Sequence, residues 1–152
     1  MTTTILLCTD GSELAEEALR AGVRVLARPD RYVVATVVSG PSPDALVDVS
    51  GMAGATMTPD EFEARQSAVM TEGEATVAHA VEVLGLEGAE TRVVPGEPGL
   101  AVCDLADELD ADAIVLGSRG RSGIRRALLG SVSDHVVRHA GRPVVVVSPR
   151  DD

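Results

Sequence analysis

Apolar positions along this chain alternate between two rhythms. Thr4-Ile5-Leu6-Leu7-Cys8-Thr9 is a continuous apolar run closed by the turn cluster Asp10-Gly11-Ser12, which predicts a strand buried on both faces. Leu14, Ala18, Ala21, Gly22 and Val25 then recur at helical spacing, with Ser12 placed to cap and acids in the first turn. Tyr32 to Val38 is a second β-branched run. Residues 40–57 hold Pro, Gly and Ser without a steady period, a long loop of the kind that carries function or moves.

Thr58-Pro59-Asp60-Glu61 opens the next helix, with Thr58 as cap, Pro59 at the first helical position and Glu61 closing a capping box. Its apolar stripe is Phe62, Val69, Gly73, Val77, Ala80 and Leu84, and Gly85 to Gly88 ends it. A third strand is predicted over Thr91 to Val94, a helix over Pro98 to Leu109 and a fourth strand over Ala113 to Leu116. A last helix follows from Ser131 to Ala140, then a fifth strand from Pro143 to Val147. Five apolar strands joined by four crossovers define an α/β domain spanning residues 1–152, with a parallel sheet and helices on both faces. The simplest doubly wound order is 3-2-1-4-5, which puts the switch point between the first and fourth strands. Ligands bind there, outside the carboxyl ends of the strands. Those ends are Thr9-Asp10-Gly11-Ser12 and Gly117-Ser118-Arg119-Gly120.

Charge sharpens this picture. The net charge is -11 and every basic residue is Arg. Residues 1–116 carry 21 acids and 6 Arg, whereas residues 117–150 carry 7 Arg and one acid, Asp134. An acidic body with one basic segment lacks the broad positive footprint of a nucleic-acid binder. Tyr32 and Phe62 are the sole aromatics, which argues against a base-stacking platform for single strands as well. Cys8 and Cys103 form no metal or CxxC spacing, which fits a reducing compartment. No signal peptide or membrane-length apolar stretch is present, so a cytoplasmic protein is expected.

The basic segment reads GSRGRSGIRRALLGSVSDHVVRH from Gly117 to His139. Gly117, Gly120 and Gly123 allow close backbone approach and positive φ. Ser131, with Asp134 as capping-box partner, would begin a helix whose N–H groups suit phosphate oxygens. The hydroxyls of Ser131 and Ser133 add hydrogen bonds, and Arg119, Arg121, Arg125 and Arg126 supply charge. Other chemistries fail. Walker A requires a Lys, which the chain lacks. No dinucleotide fingerprint follows the first strand, no S-G-G-x-D-S pyrophosphatase loop is present, and no G-x-S-x-G elbow exists. His135 and His139 are four apart, but Val136 stands where H-E-x-x-H needs Glu, so no metal site is expected. His79 reads as a surface or helix-packing residue.

Gly117, two residues, Gly120, nine residues and Gly130-Ser131 reproduce the G-x2-G-x9-G-[S/T] spacing of the ATP-binding branch of the universal stress protein family. The chain resembles that family throughout, in Asp10-Gly11-Ser12, Val94-Pro95-Gly96-Glu97-Pro98, Ala113 to Ser118 and Arg142-Pro143-Val144-Val145-Val146-Val147. The resemblance implies ATP as ligand, with Mg²⁺ held mainly by the phosphates and waters. It places Asp10 near adenine and ribose, counts Thr9 beside it among the nucleotide-binding residues, and gives the Val37 backbone an adenine contact. Gly117, Ser118, Arg119 and Gly120 fall on the phosphate and ribose loop, with Arg119 in a variable slot. Gly130, Ser131, Val132 and Ser133 fall on the phosphate-binding helix start. It also implies a homodimer through strand Val144–Val147, the sheet edge left needing a partner. The function expected is nucleotide-dependent regulation in a stress response. The alternatives are a slow ATPase or self-phosphorylating enzyme using Ser122, Ser131 or Ser133, a nucleotide-free dimeric scaffold, and a cyclic-AMP binder.

Overall fold

The computed structural model describes residues 2–46, 57–120 and 129–148. Most of the 40–57 loop lies outside them, as do Arg121, Ser122, Gly123, Arg125 and Arg126 of the basic segment. The chain runs β1 (Thr4–Cys8), α1 (Glu13–Val25), β2 (Arg31–Val38), a 3-10 turn at Pro43–Leu46, and α2 (Pro59–Leu84). It continues through β3 (Glu90–Pro95), α3 (Pro98–Glu108), β4 (Ala113–Gly117), α4 (Ser131–His139) and β5 (Val144–Val147). The strands form one sheet in the expected order β3-β2-β1-β4-β5, and every neighbouring pair is parallel.

Strand periodicity splits the core in two, because successive side chains point to opposite faces. Leu6 packs with Val33, Ala35, Ile114 and Leu116, and against Val102, Leu105 and Ala106 of α3 and Val136 of α4. Ile5 and Leu7 pack with Val34 and Val115, and against Leu19 of α1 and Val77 and Ala80 of α2. Thus α1 and α2 cover one face, and α3 and α4 the other.

The helix signals are realised atom by atom in α2. Thr58 Oγ1 accepts from Glu61 N at 3.2 Å, and Glu61 Oε2 accepts from Thr58 N at 2.8 Å. These bonds hold the exposed Glu61 carboxyl below its usual range, the backbone bond at Thr58 contributing most. Gly85 ends the helix at φ 64, in the left-handed conformation that glycine adopts without Cβ strain. In α1, Ser12 caps by accepting from Ala15 N at 3.2 Å. Its buried stripe differs from the expected one: Ala15, Ala18, Leu19 and Gly22 are buried, while Ala21 and Val25 are exposed. Gly22 sets this rotation, since its bare Cα seats directly over Val115.

Gly73 plays the same part under α2, where a Cβ would lie 2.5 Å from Val93 Cγ1 and 2.9 Å from Val38 Cγ1. Gly73→Ala is therefore expected to lower the unfolding free energy by about 1–2 kcal/mol, overpacking outweighing alanine's helix preference of about 1 kcal/mol. Urea denaturation measures this. Unchanged or raised stability would show that α2 can lift from the sheet at no cost.

Candidate functional site

The carboxyl ends of β1 and β4 lie side by side, Cys8 in register with Leu116. From there the chain departs to opposite faces, β1 into α1 and β4 into α4. The gap between them is a cavity of about 330 Å³, within the range of small-molecule sites, roughly 300–1,000 Å³. Thr9, Asp10, Val37, Gly117, Ser118, Arg119, Gly120, Gly130, Ser131, Val132 and Ser133 all lie in its wall.

Each rim is fixed by short-range bonds. Thr9 N donates to Ala35 O at 2.9 Å, and Gly11, at φ 78, donates to Thr9 Oγ1 at 3.0 Å. Asp10 Oδ1 accepts from Ser12 N at 3.0 Å and Ser12 Oγ at 2.6 Å. Its Oδ2 stands where a Cβ on residue 120 would have to go. Across the cavity, Ser118 N donates to Val147 O at 2.8 Å, and Ser118 O accepts from Gly130 N at 2.6 Å. The buried Ser133 hydroxyl reaches both Ser118 O (3.1 Å) and Gly130 O (3.0 Å).

Two local expectations need correction. Gly117 and Gly120 serve close approach and not positive φ, which neither has; Gly123 lies outside the described residues, and Gly130 too serves close approach. A Cβ on Gly117 would lie 3.1 Å from Arg119 O, and one on Gly130 would lie 3.1 Å from Ser118 O. The capping box also does not form. Gly130 is the N-cap of α4, and no described side chain caps that end. Ser131 already belongs to the helix, and Asp134 pairs instead with Arg138 Nε at 3.0 Å. A helix start leaves N–H groups without intrahelical partners, and the residues that carry them, Ser131, Val132 and Ser133, line the cavity. The contrast with α3 is direct. There Glu97 accepts from Gly99 N at 3.2 Å and Leu100 N at 2.8 Å. Those bonds, that to Leu100 first, hold its carboxyl below the usual range.

Sequence reasoning missed the apolar wall: Cys8, Ala35, Pro98, Val102, Leu105 and Leu116 also line the cavity. All but Pro98 belong to the core on the α3–α4 face or pack against it, and their pattern shows only burial. Pro98 had a signal, as the end of the Val94-to-Pro98 segment. Burial, reinforced by nearby Cys103, pushes the Cys8 thiol up to about 12. Among the described residues, Asp10 and Arg119 are the only charged ones in the wall. Ser118 Oγ and Arg119 Nε are buried there without a hydrogen-bond partner among the described residues.

The histidines lie outside the cavity wall. His135 and His139 stack with ring centroids 4.2 Å apart, and His79 Nε2 lies 3.3 Å from Glu16 Oε1. Among the described residues no group of three or more His, Cys, Asp or Glu is arranged to hold a metal ion. No described helix is long and apolar enough to cross a membrane.

The sequence pattern of the Universal stress protein family matches residues 1–148. The chain is 33% identical over 146 residues to universal stress protein YxiE of Bacillus subtilis, covering 94% of this chain and 97% of that protein. Its fold superposes on that of MJ0577 of Methanocaldococcus jannaschii with a TM-score of 0.77 at 22% identity, covering 100% of this chain and 99% of that one. A universal stress protein in complex with cAMP is similar at 27% identity and TM-score 0.58, covering 98% of both chains. The Archaeoglobus fulgidus universal stress protein in complex with dAMP is similar at 26% identity and TM-score 0.51, covering 96% of this chain and 97% of that one.

The raised Cys8 thiol gives a measurable signature. The folded state holds a proton that an unfolded thiol releases near 9.0, so this contribution to stability is intact below that pH and is lost as pH rises toward 12. At pH 8, iodoacetamide labelling of the Cys8 peptide, read by mass spectrometry, is expected to be at least about tenfold slower in the folded chain than in urea. Equal rates would mean that the Cys8 thiol is open to solvent in the folded chain.

Proposed function

The chain belongs to the universal stress protein family, and from that premise we propose that it is an ATP-binding protein of the family. In this reading its nucleotide state regulates partners in a stress response. The observation that carries the reading is the uncapped start of α4 opening onto the same cavity as an apolar wall. Such a helix end binds phosphate through backbone N–H groups and the positive end of its dipole. Val37, Val102, Leu105 and Leu116 offer a dry surface for a purine, and Asp10, fixed by Ser12, is placed to accept from ribose hydroxyls. The cAMP and dAMP complexes of two relatives support an adenine nucleotide. The G-x2-G-x9-G-[S/T] spacing favours ATP, with Mg²⁺ carried mainly on its phosphates and waters.

Binding, more than turnover, fits the wall. Among the described residues its one carboxylate is Asp10, already engaged by Ser12, and no described His or Glu lines the cavity beside it. A slow ATPase or a self-phosphorylating enzyme is the second reading. For it the exposed Ser131 is a better acceptor than Ser133, whose hydroxyl is committed to Ser118 O and Gly130 O. The same proposal takes residues 1–152 as one domain in the cytoplasm. It also takes β5, which occupies one edge of the sheet, as the seam of a homodimer.

Thermal and urea denaturation test the ligand. At 100 Kd of ATP the chain is expected to gain about 2.7 kcal/mol, and Gly130→Val should abolish the gain by pushing a side chain into Ser118 O. No gain with ATP, ADP, AMP or cyclic AMP would favour a nucleotide-free scaffold. Single-turnover hydrolysis of labelled ATP is expected to stay at background. A faster rate abolished by Asp10→Ala would replace the binding reading with the ATPase.

A further inference from the structure

We propose that Arg119 makes this site select nucleotides bearing a phosphate chain over those bearing one simple or cyclised phosphate, an inference that rests on the adenine-nucleotide reading above. Four observations converge on it. Among the described residues, Asp10 and Arg119 are the only charges in the cavity wall, and Asp10 repels an anion. Arg119 therefore supplies the sole full positive charge that the described wall offers. Its Nε is buried without an acceptor among the described residues, and no described acid forms an ion pair with it. Arg31, Arg92, Arg138 and Arg142 pair with Glu90, Glu90 and Glu108, Asp134, and Asp107, whereas Arg20, Arg24, Arg28 and Arg65, which form no ion pair among the described residues, are exposed to solvent where Arg119 is half-buried.

The backbone around Arg119 is held in place. It follows Ser118, whose N–H is bonded to Val147 O and whose carbonyl is bonded to Gly130 N, and it precedes Gly120, which is pressed against Asp10. A Cβ on Gly130 would lie 3.9 Å from Arg119 Cα, so Arg119 leaves the backbone beside the uncapped start of α4. The backbone of Arg119 and the start of α4 thus share one region of the rim.

The charge balance gives the selectivity. A helix start contributes roughly half an elementary charge, which suits a single phosphate. ATP adds two further phosphoryl groups to a protein of net charge -11, and these need a full cation. A guanidinium can also present two parallel N–H groups to phosphate oxygens, which an ammonium does not.

The test is calorimetric titration of ATP, AMP and cyclic AMP into the full chain and its Arg119→Gln and Arg119→Lys variants, at two salt concentrations. Arg119→Gln is expected to weaken ATP about 10- to 100-fold and to flatten its salt dependence, leaving AMP and cyclic AMP within about twofold. Arg119→Lys should recover the salt dependence but only part of the affinity. Ligand-free melting should be unchanged in both, because no described ion pair is lost. Equal loss for all three nucleotides, or no loss for ATP, overturns the selectivity role. A wild-type chain that binds none of them overturns instead the nucleotide reading beneath it.

Discussion

The carbonyl of Ser118 is the point on which the site turns. It lies one residue past the end of β4 and accepts both Gly130 N and the Ser133 hydroxyl. The start of α4 is thereby tied to the end of the strand from which the intervening segment departs. Gly130 is needed for this approach, since a Cβ there would press on the same oxygen. The tie also explains why α4 begins without a side-chain cap. Its N-cap is a glycine occupied in holding the strand, so the first N–H groups are left for whatever enters the cavity. On the opposite rim Ser12 does the reverse. It caps α1 and fixes Asp10 in one motion, leaving that helix start closed.

Polarity is thus distributed unequally around an apolar hollow. Of the two crossovers that meet at the switch point, one presents a carboxylate and the other presents N–H groups and a guanidinium. A ligand with a hydroxylated middle and an anionic end fits that division, and its apolar end fits the aliphatic wall. The acidic surroundings make the local positive features matter more. A chain of net charge -11 attracts an anion only where backbone and side chain together reverse the field.

Much of the fold was legible because its signals are local. Thr58 with Glu61 produced the capping box, Gly85 the left-handed helix end, and the short β-branched runs the strands of a 3-2-1-4-5 sheet. The site rims were legible for the same reason, as turn clusters at strand ends. The misreadings came where a partner distant in sequence decides. Which stripe of α1 is buried depends on Gly22 meeting Val115. Ser131 looked like a cap because nothing local reveals that Gly130 is held by Ser118. Cys8, Val102 and Leu105 look like any core residue, and whether a buried position faces another side chain or a cavity is not written in its own periodicity.

By itself the sequence determined the strand and helix succession, the sheet order that succession favours, and the placement of glycines and arginines after the fourth strand. These follow from hydrophobic period, backbone preference and charge, which act within a few residues. Only the tertiary structure decided that α4 opens uncapped onto the cavity and that Ser133 is structural at its hydroxyl. It alone left Arg119 Nε buried without an acceptor among the described residues. Each of these depends on atoms brought together across the switch point, where hydrogen-bond geometry and close packing, not propensity, determine which polar groups are used up and which remain.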